Sequence, residues 1–354
     1  MNKTDSHCFS ALTYFQQRFT NVKRRYAFHA ESMHEYERWR RRCTRALKRL
    51  IGLHTMQRCD LQPVRIERTV CDGYIRERME LSTEPGITMP MYVLVPTHAQ
   101  SPFPAIIAAH GHGGGGKAAV AGVADNPGIA NAIVQFRYDY GVAFARAGFI
   151  VFCPDARGFG ERREAPEQNN VLKSSCQWLN HMGLPLGQTV TGMWVWDIQR
   201  LIDYISVRHD CAPGHIGCVG LSGGGLQTLW TSALDTRIQC AVISGYFYGY
   251  RESLLTMYNN CSCNYVPHLY EYVDIGDIAA LIAPRPLLVE TGTKDPLNGK
   301  SGLDNVFPQI AQTQRAYELL GAKDYLYHDV FEGGHQWHGE KAIPWMQRFL
   351  ASDR

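Results

Sequence analysis

Short apolar runs alternate with helical patterns along most of this chain. Six runs after Pro104 are strongly apolar, as strands buried on both faces are, and they cover residues 105–111, 149–155, 215–222, 238–244, 285–292 and 324–330. Helical patterns occupy residues 190–205, 307–320 and 341–350. Strands that alternate with helices predict a mostly parallel central sheet with helices on both faces, which is an α/β fold.

The pattern before Pro104 is different. Residues 63–70 and 74–81 alternate between apolar and polar side chains, and a third run follows at residues 89–96. Such alternation is typical of half-exposed antiparallel strands. We therefore expect an antiparallel N-terminal edge on the parallel sheet.

One segment interrupts this order. Residues 246–275 fit neither the strand pattern nor the helical pattern, and they are interpreted as a small insertion. We expect a helical extension over residues 1–60 and one α/β domain over residues 61–354, with the insertion inside that domain.

Composition limits the classes of partner. Hydrophobic residues make up 45% of the chain and charged residues 19%, which is ordinary for a globular protein. A formal net charge of +3 is too small to indicate a nucleic-acid partner. No run reaches the ~18 consecutive apolar residues of a membrane span, and the first thirty residues lack the apolar core of a signal peptide. The eleven cysteines are scattered and odd in number, which favours reduced thiols, so we expect a cytoplasmic protein.

One basic run needs a separate explanation. Seven of the twelve residues from Arg38 to Arg49 are Lys or Arg, while Trp39, Cys43 and Leu47 recur at helical spacing. This pattern predicts an amphipathic helix with a basic face. The face could bind phosphate or a membrane, but a solvated helix packed on the domain or on a neighbouring subunit is favoured, because the rest of the chain has no basic excess. The N-terminal helices could thus join two copies of the chain.

The candidate chemistry starts at Ser222, in the stretch GLSGGGLQTLW, between an apolar run and a helical pattern. Gly220 and Gly224 flank this serine two residues away on either side. Gly-x-Ser-x-Gly between a strand and a helix indicates a sharp turn that exposes the serine hydroxyl, where larger neighbours would collide. Ser222 is therefore the candidate nucleophile. The alternative is an ordinary glycine-rich loop.

A nucleophilic serine needs a histidine base and a carboxylate that orients the base. In this strand–turn–helix setting both follow the serine at the ends of later strands, the carboxylate first. Asp295 follows the run 285–292, and His335 follows the last run behind two glycines. We assign the two roles to Asp295 and His335. His338 is the rival base, and Glu290, inside a strand, is expected to have a structural role.

Acyl transfer also needs backbone N–H groups that face the oxygen on which negative charge develops. One donor is expected from Gly223, directly after the serine, and the other from His112 in the glycine-rich loop HGHGGGGK, with Gly111 and Gly113 as the neighbouring alternatives. His110 and His112 could instead bind a metal, but no acidic residue or cysteine accompanies them at ligand spacing, so no metal is expected. The loop also differs from a phosphate-binding loop, because Ala118 follows Lys117.

The stretches HGHGGGG, PDARGFGER, GLSGGG, IAPRPLLVETGTKDP and GGH together resemble α/β-hydrolases of the bacterial acetyl-xylan-esterase-like and dienelactone-hydrolase-like group. The resemblance spans roughly residues 105–350. It implies an α/β-hydrolase fold, with residues 61–354 as the catalytic domain, and a triad formed by Ser222, Asp295 and His335. No cofactor is expected. Dienelactone hydrolases have a cysteine where this chain has Ser222.

Four further residues are candidates for the substrate pocket: His110, Arg157, Tyr246 and Tyr248. Arg157 lies in a charged loop just after a predicted strand. It could bind a polar substrate, but an internal ion-pair network that braces the loop is favoured.

The insertion has two unusual features. It holds seven tyrosines, which could stack on sugar rings or on an aromatic acyl group, or could form the apolar underside of a lid. Cys261 and Cys263 could form a redox pair or half of a metal site. Buried structural thiols are favoured, because no second Cys or His pair stands at matching spacing.

Three functions fit these observations. The first is a serine carboxylic-ester hydrolase that deacylates a small or carbohydrate-linked ester of the acetyl type. The second is a peptidase or amidase similar to prolyl oligopeptidases, which the short region before the hydrolase pattern disfavours. The third is a binding protein without activity, which the complete set of triad residues disfavours.

Overall fold

The structure is a computed structural model that describes residue 9 and residues 11–256 and 260–350. Nine strands of these residues form one mixed sheet in the order β1-β2-β3-β5-β4-β6-β7-β8-β9. The strands are β1 (Val64–Cys71), β2 (Tyr74–Glu84), β3 (Ile87–Pro96), β4 (Phe103–Ala109), β5 (Ile150–Pro154), β6 (Cys211–Leu221), β7 (Ile238–Ser244), β8 (Leu287–Gly292) and β9 (Leu326–Phe331).

The sheet changes once from antiparallel to parallel pairing. The pairs β1–β2, β2–β3 and β3–β5 are antiparallel, whereas β4–β5 and every pair from β4 to β9 are parallel. The predicted antiparallel N-terminal edge on a mostly parallel sheet is therefore confirmed. Parallel strands end at the same edge of the sheet, so the loops after β4, β6, β8 and β9 are brought together there.

Helices cover both faces of the sheet. The helices of the described residues are α1 (Leu12–Asn21), α2 (Met33–Leu50), α3 (Lys117–Val120), α4 (Pro127–Phe136), α5 (Tyr140–Arg146), α6 (Cys176–Gly183), α7 (Val190–Ile205), α8 (Gly223–Leu234), α9 (Leu269–Tyr272), α10 (Ile275–Ala280), α11 (Phe307–Leu319) and α12 (Ala342–Leu350). Along β7, Ala241 and Ile243 pack into one hydrophobic cluster, while Cys240 and Val242 pack into another. Neighbouring strand residues point to opposite faces, so the two clusters lie on opposite sides of the sheet.

Element positions agree well with the sequence pattern where the pattern is strong. The run 238–244 and the helical pattern 190–205 match β7 and α7 at both ends. The largest difference at a strand start is in β6, which begins at Cys211 because this residue pairs with Phe103 of β4 ahead of a register shift. Because the partner strand is distant in sequence, no pattern among the neighbouring residues indicates this pairing.

The basic run forms part of α2, which packs on the main core. Ser32 caps the helix, and its hydroxyl accepts a hydrogen bond from the Glu35 N–H. Tyr36, Cys43 and Leu47 of α2 are almost completely buried, and the Tyr36 hydroxyl donates to the Ala283 carbonyl at 2.8 Å. The amphipathic helix expected from the sequence is thus anchored by its apolar stripe, and its basic side faces outward.

The segment 246–275 contributes to the same core. Tyr246, Phe247 and Tyr250 are at most 4% exposed, and α9 and the start of α10 lie within the segment. Its role as a lid stays a prediction. Among the described residues, no helix is both long and apolar enough to cross a membrane.

The packing of α2 predicts a clear difference between its two sides. Leu47→Ala should lower the free energy of unfolding by about 2–5 kcal/mol, because it empties a fully buried position. Arg45→Ala, on the exposed side of the same helix, should change it by less than about 0.5 kcal/mol. Urea denaturation measures both variants. Equal effects would contradict the packing of α2 on the core.

Candidate active site

Ser222 lies in a strained turn between β6 and α8. Its backbone angles are φ 59° and ψ −118°, a conformation that costs free energy for a residue with a side chain. The Ser222 N–H donates to the Ser244 carbonyl at 2.8 Å, which ties the turn to the end of β7. A side chain at Gly220 would collide with the backbone of Gly224, and one at Gly224 with the Ala109 carbonyl. The two glycines of the motif are therefore required by the close approach of these backbones.

Asp295 and His335 form a hydrogen-bonded pair at the same edge of the sheet. Asp295 follows β8, and its Oδ2 lies 2.7 Å from Nδ1 of His335, which follows β9. The other oxygen, Oδ1, accepts the Leu297 N–H at 2.9 Å. A carboxylate can only accept here, so Nδ1 of His335 carries the proton and Nε2 is left as a base. The Asp295 side chain is 2% exposed and that of His335 20%.

Main-chain hydrogen bonds fix the two loops that carry this pair. The Lys294 N–H donates to the Gly333 carbonyl at 2.8 Å, and the Thr293 N–H donates to the Phe331 carbonyl at 2.9 Å. The His335 ring also packs beside Gly245, where a Cβ would lie 3.0 Å from the His335 Cε1. Since Gly245 follows Ser244, the histidine lies next to the strand end that holds the Ser222 turn.

The loop after β4 packs against the serine from the other side. A Cβ on Gly111 would lie 3.0 Å from the Ser222 Cβ, so Gly111 allows this close contact. The Tyr138 hydroxyl donates to the His112 carbonyl at 2.7 Å and so fixes the peptide plane of the loop. Gly223 is the first residue of α8, where amide groups have no acceptor within the helix. The two predicted N–H donors therefore lie on segments that meet at Ser222.

His338, the rival base, has other partners. Its Nδ1 lies 2.8 Å from Asp329 Oδ2, and its ring stacks on Phe331 with the centroids 4.3 Å apart. Glu290 accepts the N–H groups of His338 and Gly339. Burial raises the pKa of Glu290. The structure thus places Glu290 beneath this turn, where its carboxyl group holds the backbone of His338 and Gly339.

His110 is a buried histidine with both ring nitrogens engaged. Its Nε2 accepts the Ala156 N–H at 3.0 Å, so Nδ1 carries a proton and donates to the Gly111 carbonyl at 2.9 Å. Burial lowers the pKa of His110, which keeps the ring neutral. The structure therefore gives His110 a bracing position between two loops, and its role in a substrate pocket stays a prediction.

Arg157 is also almost fully buried. It pairs with Asp197 and with Glu84, each at 2.8 Å, and Arg162 joins Asp197 at 2.7 Å. Burial alone would raise the pKa of Asp197, but Arg157 and Arg162 outweigh it and lower the pKa to about 2. These buried charges brace the loop after β5, which is the alternative that the sequence analysis favoured for Arg157.

The two tyrosines proposed for the pocket are also almost fully buried. The Tyr246 hydroxyl donates to Asn264 Oδ1 at 2.8 Å, and the Tyr246 and Tyr248 rings lie 5.2 Å apart. Burial raises the pKa of Tyr248, and the negative charge of Asp295 adds to this effect. Tyr248 therefore lies near the acid of the pair, whereas Tyr246 is committed to the insertion.

Two groups of side chains in the described residues have the spacing of metal ligands. One is formed by Glu290, Asp329 and His338. The other joins His112 to Cys176, Cys261 and Cys263. The histidine loop and the Cys261/Cys263 pair are far apart in the sequence, and no ligand partner lies near either of them there. Only the fold brings the two halves together.

Two large clefts lie along α2 rather than at Ser222. One, of about 700 Å³, is lined by Arg42, Arg45, Arg49 and His268 among others, and the other, of about 1310 Å³, lies on the side of Arg41 and Lys48. Ser222 is 7% exposed and lines neither of them. The candidate active site is therefore located by the chemistry of Ser222, Asp295 and His335 and not by the volume of the clefts.

Comparison with known proteins agrees with this architecture. A model of the Abhydrolase family matches residues 1–333 of the chain. The protein named Putative hydrolase YtaP of Bacillus subtilis (strain 168) is 29% identical over 287 residues, which are 78% of this chain and 88% of that protein.

Two solved structures have a similar fold. A putative acetyl xylan esterase from Bacteroides fragilis NCTC 9343 aligns with a TM-score of 0.79 and 19% identity over 98% of this chain and 97% of its own. A glucuronoyl esterase from Solibacter usitatus aligns with a TM-score of 0.66 and 16% identity over 92% of this chain and 96% of its own. Together with the family match, these similarities confirm the predicted α/β-hydrolase fold.

The ion-pair network beside the site predicts a specific response to acid. Because folding lowers the pKa of Asp197, its carboxylate adds stability above about pH 4, and this stability is lost as the pH falls towards 2. Asp197→Asn should lower the free energy of unfolding at pH 7 by about 3–5 kcal/mol, since it removes the carboxylate that pairs with buried Arg162 and one of the two that pair with buried Arg157. Urea denaturation between pH 7 and pH 3 should also show a flatter acid dependence in the variant.

A matched control separates this effect from the loss of any negative charge. Asp72 pairs with Arg146 at the surface, where the Asp72 side chain is 94% exposed. Asp72→Asn should leave stability within about 0.5 kcal/mol of the wild type. The burial argument is refuted if both variants lose the same free energy.

Proposed function

The chain belongs to the Abhydrolase family, and from its site geometry we propose that it is a serine carboxylic-ester hydrolase that works through an acyl-enzyme. The proposal depends chiefly on one arrangement, the strained Ser222 turn beside the Asp295–His335 hydrogen bond of 2.7 Å. The loop that carries His112 closes the site from the opposite side.

Each residue has a chemical role in this proposal. The Ser222 hydroxyl attacks the acyl carbonyl, and its proton passes to Nε2 of His335. Asp295 holds the imidazole by its Nδ1 proton and stabilises the cation that forms. The N–H groups of Gly223 and His112 donate to the oxygen that becomes negative in the tetrahedral intermediate.

The second half of the reaction uses the same groups. Protonated His335 returns its proton to the leaving alcohol, which departs and leaves the acyl group on Ser222. His335 then takes a proton from water, and the resulting attack releases the acid and regenerates the serine. The chain supplies every group that this sequence of steps requires, so the proposal includes no cofactor.

Small or carbohydrate-linked esters of the acetyl type are the proposed substrates. The low exposure of Ser222, 7%, favours a small acyl group, because a long chain needs a wide approach to the hydroxyl. The solved structures with a similar fold are named acetyl xylan esterase and glucuronoyl esterase, and both names describe esterases of carbohydrates.

Loss of the nucleophile should abolish ester hydrolysis. Ser222→Ala should reduce kcat for p-nitrophenyl acetate by at least about a thousandfold, since no other group can form the acyl-enzyme. Ser232→Ala is the matched control, because Ser232 is a buried serine of α8 whose hydroxyl has no hydrogen-bond partner among the described residues. It should keep nearly full activity. A fully active Ser222→Ala protein would refute the serine mechanism.

Acyl-chain preference tests the substrate class. Among p-nitrophenyl acetate, butyrate and octanoate, kcat/KM should fall as the chain lengthens, by at least about tenfold from acetate to octanoate, because a narrow site excludes the longer chain. Acetylated xylo-oligosaccharides should release acetate, whereas a peptide p-nitroanilide should not be cleaved. Preference for octanoate would contradict the small acyl group, and cleavage of the anilide alone would favour a peptidase.

A further inference from the structure

Four potential metal ligands converge behind the loop that carries His112. They come from three distant parts of the chain: His112 follows β4, Cys176 begins α6, and Cys261 and Cys263 lie in the segment 246–275. One ligand atom of each residue lies within 4.8 Å of the ligand atoms of all the others. Cys176 and Cys263 are buried, and none of the three cysteines forms a disulfide with another described cysteine.

The geometry points to a tetrahedral Zn²⁺ site with His112, Cys176, Cys261 and Cys263 as ligands. Three thiolates and one imidazole are a donor set typical of zinc sites that hold a structure together. Zinc–sulfur bonds of about 2.3 Å and zinc–nitrogen bonds of about 2.0 Å imply sulfur–nitrogen separations of about 3.6 Å and sulfur–sulfur separations of about 3.8 Å. The Sγ of Cys263 lies 3.4 Å from Nε2 of His112, close to the expected value.

A helix N-terminus and hydrogen-bond donors lie next to the three sulfurs. Cys176 is the first residue of the eight-residue helix α6, where the helix dipole stabilises a negative charge. The Ser174 hydroxyl lies 3.6 Å from the Cys261 sulfur, and the Asn264 side-chain amide donates to the Cys263 sulfur at 3.7 Å. Hydrogen-bond donors of this kind are typical partners of the sulfur ligands of a metal.

The backbone on either side of the cysteines is also fixed. The Thr191 hydroxyl of α7 donates to the Cys263 carbonyl at 2.7 Å, and the Asn180 amide of α6 donates to the Ser262 carbonyl at 2.6 Å. The ligands are therefore held in place by contacts other than the metal. Such preorganisation is what a selective metal site needs.

A closed set of four protein ligands assigns the metal a structural role. Binding of Zn²⁺ displaces the protons of the three thiols, which pass to solvent, and leaves no open position for a substrate. A disulfide could join only two of the three sulfurs and would leave the third sulfur and the imidazole without a function. The metal joins α6 and the segment 246–275 to the loop after β4.

The bond to His112 has a consequence that depends on the proposed function. The Nδ1 edge of the His112 ring packs against Gly223, where a Cβ would lie only 2.7 Å from Nδ1. A metal on Nε2 would hold this ring in place, and with it the two segments whose N–H groups are proposed to bind the oxyanion. The metal site itself requires no ester hydrolysis.

Metal content of the untagged, full-length protein tests the inference directly. Protein purified without chelators should contain about one zinc per chain by inductively coupled plasma mass spectrometry. Cys263→Ser and Cys176→Ser should lose most of this zinc. Cys218→Ser is the matched control, because Cys218 is equally buried outside the site and lies beside the Thr228 hydroxyl, which can hydrogen-bond to the new serine. It should keep the zinc.

Two measurements on the wild-type chain keep the test decisive if a variant fails to fold. Protein produced with Co²⁺ should show the strong near-ultraviolet absorption of thiolate-to-cobalt charge transfer. Removal of zinc with dipicolinate should lower Tm, and added zinc should restore it, because the metal binds the folded chain.

Two results would contradict the metal site, and a third would contradict only the proposed function. Zinc-free wild-type protein that takes up neither Zn²⁺ nor Co²⁺ would overturn the inference, as would a disulfide among the three cysteines in peptides mapped without reduction. A chain that holds zinc but hydrolyses no ester would refute the proposed function and leave the metal site standing.

Discussion

The strained turn at Ser222 is the constraint on which the rest of the site depends. A residue with a side chain holds φ 59° there only because its neighbours give it no alternative. The Ser222 N–H is bound to the end of β7, and glycines on both sides let β6, the start of α8 and the loop after β4 approach to backbone contact. Larger residues at Gly111, Gly220 or Gly224 would push these segments apart, and the hydroxyl would lose its position relative to every other group.

Two further layers of interaction hold the surroundings of this turn. Parallel strands bring the loops after β8 and β9 to the same sheet edge, where main-chain hydrogen bonds join them and place Asp295 against His335. On the opposite side, buried ion pairs around Asp197 brace the loop after β5. Few polar groups take part in the proposed reaction. Most of the buried charge of this region fixes loops, as Arg157 does through its pairs with Glu84 and Asp197.

The sequence predicts features that are local and misses those that depend on distant pairing. The bounds of α7 and β7 follow from uninterrupted periodicity, and the order Ser222, Asp295, His335 follows from strand ends. The partners of Arg157 could not be predicted, because Glu84 and Asp197 reach it from β2 and α7. The same is true of His112 and Cys263, which are 151 residues apart yet 3.4 Å from each other. The short spacing between two cysteines indicates only two of the four side chains in this cluster. The fold brings the other two to them.

The attachment of the N-terminal segment has a consequence for the order of folding during synthesis. The Phe28 N–H donates to the Asp277 carboxylate, 249 residues later, and the Tyr36 hydroxyl reaches the Ala283 carbonyl. A ribosome that makes the chain from its N-terminus releases α2 long before α10 exists. Until α8 and α10 have been made, the apolar stripe of α2 lacks the surface that covers it in the folded protein, which is the condition under which nascent chains aggregate or need a chaperone. The helix α2 is therefore made long before it can reach its final place.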